Sequence, residues 1–179
     1  MSNWNIVATT AEGRYNPALS FLAQFGTVKP TAYYNVVMLR VEDVPGFMNL
    51  LAEEWEARDG RLALLQRVVP LDHTFNFSNR QSFGKHAADI ARSWAPRLAG
   101  KTFHFRMHRR GFKEQMSSME EEQMLNTVVV EATAQTVQPA VVSYDDPDAI
   151  AVVETIGSHA GMSLWFREDL QRFPFLKIH

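Results

Sequence analysis

Lys101-Thr102-Phe103-His104-Phe105-Arg106-Met107-His108-Arg109-Arg110 is the most regular stretch of this sequence. Phe103, Phe105 and Met107 alternate with polar or basic residues, a period of two that predicts a strand with one face in a core and the other open. His104, Arg106, His108 and Arg110 then share the open face, and Arg109 and Lys113 sit at its end, where a loop can wrap a phosphate. Arg suits that task because its planar fork meets phosphate oxygens two at a time.

On either side of this strand the pattern turns helical. Before it, Ser78 or Asn79 can cap a helix whose buried stripe is Phe83, Ala87, Ile90, Ala91 and Trp94, broken by Pro96 and Gly100. A short strand, His73–Phe77, precedes that helix. After the turn at Gly111, Ser118 with Glu121 three residues on forms a capping box for a long helix, with Leu125, Val128, Val129 and Ala132 on its buried face and Glu120–Glu122 in its first turn. Ile150–Ile156 and Ala160–Phe166 read as two strands joined around Gly157-Ser158-His159, and the tail Phe173-Pro174-Phe175 takes no assigned place.

The first 70 residues carry a different order. A strand near Val7 leads to a helix after Pro17, with Leu19, Leu22, Ala23 and Phe25 at helical spacing and Gly26 as its stop. A short strand interrupted at Pro30 and a main strand through Tyr33–Val41 follow. Pro45-Gly46 opens a second helix with Phe47, Leu50, Leu51 and Trp55 on one face, ended by Asp59-Gly60, and a strand runs from Leu62 to Leu71. Strand, helix, strand, strand, helix, strand is the ferredoxin-like split unit. The chain therefore reads as an α/β (α+β) protein with residues 1–71 as one domain and 72–179 as another.

Composition bounds the function. At 179 residues, with 46% hydrophobic and 21% charged, the chain is an ordinary folded protein of one or two small domains. It has no cysteine, which excludes disulfides, thiolate chemistry and cysteine-ligated metal. The first residues lack a signal peptide's basic and apolar regions, and no apolar run reaches membrane-spanning length, so the expected location is cytoplasmic. The formal charge of −2 argues against a nucleic-acid protein until it is divided. From His73 to Lys113 lie nine basic residues and one acid, Asp89, or +8 in 41 residues, which leaves −10 on the rest. Ordinary solvated faces intersperse both signs, so this clustering is the footprint of a polyanion ligand.

Catalytic motifs are missing. Phosphate-loop, dinucleotide and serine-hydrolase signatures are all absent, and no nucleophile, base and oxyanion donor assemble. His104 and His108 lack a carboxylate pair, and Asp145-Asp146-Pro147-Asp148 reads as a turn before a strand rather than a cation site. No metal and no cofactor is expected. Among the aromatics interleaved with the basic residues, Phe83, Trp94, Phe103 and Phe105 fall on buried faces, which leaves Phe112 as the candidate for stacking on a base.

Taken in order, Arg67-Val68-Val69-Pro70-Leu71, the strand Phe103–Arg110 with Gly111, the long helix and Asp145–Gly157 resemble the THUMP domain over about Arg67 to Phe166. The nearest pattern is that of stand-alone THUMP proteins with a preceding ferredoxin-like domain, similar to adaptors that present tRNA to a separate cytidine acetyltransferase. The resemblance implies recognition of structured RNA, chiefly tRNA near its acceptor end, with chemistry carried by another module. The methyltransferase's Asp/Asn-Pro-Pro-Tyr/Phe motif is missing, and the chain ends at His179, about where the THUMP unit finishes. The family's long helix often carries a small residue where this chain has Met124-Leu125-Asn126. The expectation is a tRNA-binding protein without catalysis of its own, contacting RNA through Arg106, Arg109, Arg110 and Lys113, flanked by Arg80, Lys85, Arg92, Lys101, His104, His108 and Phe112. The alternative is an assembly subunit that docks a modifying enzyme or a second copy of itself, a homodimer, without direct RNA binding. A small hydrolase using His73 or His104 is disfavoured, because no H-x-[ST] pair is present.

Overall fold

The computed structural model describes residues 4–58 and 60–178, and the chain divides into two compact units. The first comprises residues up to Leu71 together with 168–177, so the tail that the sequence leaves with the second domain belongs to the first.

The first unit is built from β1 (Ile6–Thr10), α1 (Tyr15–Leu22), β2 (Thr27–Pro30), β3 (Val36–Arg40), α2 (Val44–Glu56) and β4 (Leu65–Pro70). Its sheet has the order β2-β3-β1-β4 with every neighbour antiparallel, the strand order of a split β-α-β unit. Several boundaries differ from the sequence reading. Helix α1 starts two residues before Pro17, which sits in its first turn where the missing N–H costs nothing. Gly26 does not stop it. A Cβ there would lie 1.9 Å from the Arg40 carbonyl oxygen, so glycine is required where β2 closes on β3. The main strand starts at Val36 rather than Tyr33, because Asn35 takes φ 57° in the turn before it. Asp43 caps α2 by accepting from the Gly46 N–H at 3.0 Å. On that helix Phe47 and Leu51 are buried, but Leu50 and Trp55 are exposed, since the apolar stripe is wider than the face the sheet covers. Asp59 lies outside the described residues, and Gly60 opens a short 3-10 helix, Gly60–Leu64, which takes the first residues expected of the last strand.

The second unit contains β5 (His73–Asn76), α3 (Arg80–Leu98), β6 (Thr102–His108), α4 (Ser118–Thr133), β7 (Val141–Val142), β8 (Ala149–Ile156) and β9 (His159–Phe166). The sheet order is β5-β9-β8-β6-β7; β6 runs parallel to β7 and β8, and the other pairs are antiparallel. Asn79 caps α3 with a reciprocal box: its side chain accepts from the Ser82 N–H at 2.8 Å and the Ser82 hydroxyl accepts from the Asn79 N–H at 3.2 Å. Pro96 falls inside the last turn of α3 and does not break it. The cap of α4 is Ser117, one residue before the expected box, and Ala132 is exposed while Thr133 is buried.

The core of this unit brings Phe83, Ala87, Ala91 and Trp94 of α3 and Leu125 and Val129 of α4 against Phe103, Phe105 and Met107 of β6 and Ala149, Ala151 and Val153 of β8. Both helices therefore lie on the sheet face that the odd-numbered residues of β6 define. The even-numbered residues point the other way. After Arg167 the tail forms α5 (Arg167–Arg172) and a 3-10 turn, Pro174–Leu176, whose Phe175 packs at 6.4 Å from the Trp55 ring.

Candidate nucleic-acid interface

The sequence predicts an open polar face on β6, and the structure corrects that. His104 is 6% exposed, and β8 beside it is buried on both faces. Arg106 is exposed, and His108 is half-buried. Arg110 is held inward, 14% exposed at its side chain, with Nη1 donating to the fully buried Glu154 Oε2 at 2.6 Å. Its backbone is fixed as well: the N–H donates to Thr155 Oγ1 at 3.0 Å and the carbonyl accepts from the Gly157 N–H at 2.8 Å. The row of four donors thus reduces to Arg106: His104 is buried, His108 is half-buried, and Arg110 is spent on the buried Glu154.

The loop after β6 is folded back on itself. Gly111 and Phe112 both take positive φ, 90° and 52°, and Arg109 Nη1 donates to the Gly111 carbonyl at 2.5 Å. Phe112 packs its ring 4.9 Å from that of Phe77, at the margin of the core, so the expected base-stacking ring is a packing ring. Lys113 is exposed.

On α3, Arg80 pairs with Glu120 at 3.2 Å and with the buried Glu121 at 3.3 Å, tying α3 to α4. Arg92 pairs with Asp89 at 2.9 Å on the exposed surface, where such a pair is worth little and opens readily. Lys85 and Lys101 are exposed. Among the described residues no carboxylate lies within ion-pair distance of Lys85, Lys101, Arg106 or Lys113. Lys85 projects from the outer face of a helix on one side of the sheet and Arg106 from the other side, so the eleven predicted residues do not share one surface.

The acidic segment 145–148 is a structural turn. Asp148 accepts from the Thr102 N–H at 2.8 Å and hydroxyl at 3.1 Å, and Arg167 reaches both Asp146 and Asp148 at 3.3 Å. Those bonds, led by the Thr102 N–H, hold the Asp148 carboxyl below its ordinary range.

Three residues escape sequence reading. Asn126, buried in α4, accepts from the Phe105 N–H at 2.8 Å and donates to Tyr144 Oη at 2.9 Å. Beyond Phe103 the short β7 no longer pairs with β6, and Asn126 takes over that edge. Glu122, one turn earlier, faces the Met107 N–H; burial pushes its carboxyl up, against the pull of that N–H and of Arg106. Tyr144 is exposed and lies 4.8 Å from the His104 ring. His104 Nδ1 is 3.0 Å from the Ser143 carbonyl, and burial is the main cause that lowers its pKa, so its neutral ring is favoured. A buried polar residue at the spacing Glu122–Asn126 is the one signal of this edge that the sequence carries.

The fold is mixed α/β, with two sheets and five α-helices among the described residues, and it is THUMP-like. Among solved structures, TrmN from Thermus thermophilus shares it at a TM-score of 0.62 and 19% identity, over 89% of this chain and 44% of that one. PH1313 from Pyrococcus horikoshii Ot3 matches at 0.61 and 10% identity, over 90% of this chain and 54% of that one. A 4-thiouridine synthetase captured with RNA and bound ATP matches at 0.56 and 12% identity, over 92% and 42% respectively. This chain spans about half the length of these structures. No protein-family model matches it, and no curated protein matches it in sequence. Among the described residues no helix is long and apolar enough to cross a membrane.

Proposed function

We propose that this chain binds structured RNA, with tRNA near its acceptor end as the ligand class, and presents it to a separate tRNA-modifying enzyme without catalysing the modification. The observation that carries this reading is a group of exposed cations, Lys85, Lys101, Arg106 and Lys113, with no carboxylate within ion-pair distance among the described residues, in the most basic stretch of an otherwise acidic chain. Each offers a positive charge to a phosphate without first having to break an ion pair. Their contribution is electrostatic positioning: a phosphate neutralised by Lys or Arg releases condensed counterions, so binding weakens as salt rises. Arg106 adds a bidentate fork at a rigid strand, while Lys85, Lys101 and Lys113 act as point charges. Arg80 and Arg110 belong instead to the framework, and Arg92 joins the cationic set when it releases Asp89.

The fold supports the same reading, since it is shared with a synthetase that was captured with RNA. Crosslinking the protein in cells, isolating it and sequencing the attached RNA tests the proposal. Enrichment of tRNA, together with recovery of a modifying enzyme, is the expected result. Recovery of protein partners with no enriched RNA would instead establish the assembly-subunit role.

A further inference from the structure

Tyr144 is a large aromatic side chain that is 62% exposed yet held rigidly. Its ring lies against His104, with centroids 4.8 Å apart and planes inclined by 30°. Its hydroxyl accepts from Asn126 Nδ2 at 2.9 Å, and Asn126 in turn is anchored by the Phe105 N–H at 2.8 Å. His104 is itself fixed by the Ser143 carbonyl at 3.0 Å. With one ring face on His104 and the hydroxyl tethered, the exposed area must come from the opposite face and the free edges.

An exposed aromatic ring normally turns among rotamers, and ordering it opposes binding. Here the ordering is already done within the folded unit. Arg106 follows His104 by two residues on the same side of β6, exposed and with no carboxylate within ion-pair distance among the described residues, Glu122 acting on it only at longer range. A flat, preordered π-face near an exposed guanidinium is the pairing by which proteins hold unpaired nucleotides, the ring taking the base and the cation the backbone. A paired base inside a helix offers no face to such a ring, so the geometry selects single-stranded nucleotides.

We infer that Tyr144, braced by His104 and Asn126, is a stacking platform for an unpaired RNA base whose neighbouring phosphate is held by Arg106. This rests on the RNA-binding reading above and deepens it. Asp145, exposed beside the platform, opposes the approach of a phosphate and supplies an internal check.

The test uses the full chain and two synthetic RNAs, a blunt hairpin and the same hairpin with a single-stranded overhang carrying 2-aminopurine. The expected results are quenching of the fluorophore on binding, tighter binding of the overhang RNA, and a loss of about tenfold for it in Tyr144→Ala. Tyr144→Phe, which keeps the ring, should stay within about twofold, and Asp145→Asn should tighten binding. Affinity of Tyr144→Ala for the blunt hairpin should not change. A folded Tyr144→Ala, judged by an unaltered circular dichroism spectrum, that binds the overhang RNA as the parent does would overturn the platform while leaving RNA binding intact. Parent protein that binds neither RNA overturns both readings. RNA-independent self-association abolished by Tyr144→Ala in sedimentation would assign the ring to a second copy of the chain and overturn the platform as well.

Discussion

Replacing Arg110 separates a framework residue from an RNA contact. Its guanidinium donates to Glu154 Oε2 at 2.6 Å, and Glu154 has no exposed surface. Arg110→Met removes a countercharge from Glu154 in the interior of the sheet. Breaking a buried ion pair from one side costs about 3–5 kcal/mol, and the lower end applies because Arg110 retains 14% exposure. At a urea dependence of about 2 kcal/mol per M, a loss of about 3 kcal/mol moves the unfolding midpoint down by about 1.5 M. The buried Trp94 in the same unit supplies a fluorescence signal. Arg110→Met combined with Glu154→Leu removes both charges, and such replacements are often neutral or stabilising, so the double variant should recover most of the loss. Arg106→Met, by contrast, should leave the midpoint within about 0.5 kcal/mol of the parent, as surface substitutions do. An Arg110→Met protein as stable as the parent would refute the reasoning, as would a double variant no better than the single.

Gly26→Ala places a Cβ against the Arg40 carbonyl and should open the β2–β3 pairing, seen as accelerated hydrogen exchange at Lys29 and Arg40. Glu122→Gln should stabilise the protein near neutral pH: the native carboxyl is raised, so the folded chain binds that proton more tightly and its charge is a penalty above the native pKa. That gain should fade as pH falls and vanish below about pH 4, where the unfolded carboxyl is also protonated. His104 carries the opposite linkage. Its pKa is lowered in the native state, so the unfolded chain binds more protons and stability drops as pH falls from about 6.5 through the native value; His104→Gln should flatten that slope in pH-dependent denaturation. Asn126→Leu leaves the Phe105 N–H without an acceptor and should cost about 1–3 kcal/mol by thermal or urea unfolding.

Alternation in Phe103, Phe105 and Met107 was enough to place β6, and the helical stripes of α3 and α4 follow from their apolar spacing. Boundaries moved where a tertiary demand outweighed local pattern: Gly26 answers to Arg40 rather than to the helix before it, and Ser117, not Ser118, meets the first free N–H groups of α4. The open face of β6 was misread for a deeper reason. Alternation reveals which side of a strand is apolar, but a polar side can be covered too, and only Glu154, distant in sequence, discloses that Arg110 is spent on a buried charge. Local charge clustering marks a basic region in the sequence but does not sort ion-paired cations from the others, because Asp89, Glu120, Glu121 and Glu154 select their partners through the fold. Tyr144 left no periodic trace, since its role depends on His104 and Asn126 arriving beside it.

The central claim rests on four exposed cations, each with no carboxylate within ion-pair distance among the described residues. Binding of a tRNA transcript measured across a salt series, for the parent and for a variant with Lys85, Lys101, Arg106 and Lys113 all changed to Gln, tests it most directly. If each contacts a phosphate, the log–log salt slope falls by about 0.9 for each cation removed, and affinity falls for every RNA alike. A parent whose binding does not respond to salt, or a fully folded quadruple variant with the parent's slope and affinity, would contradict the account.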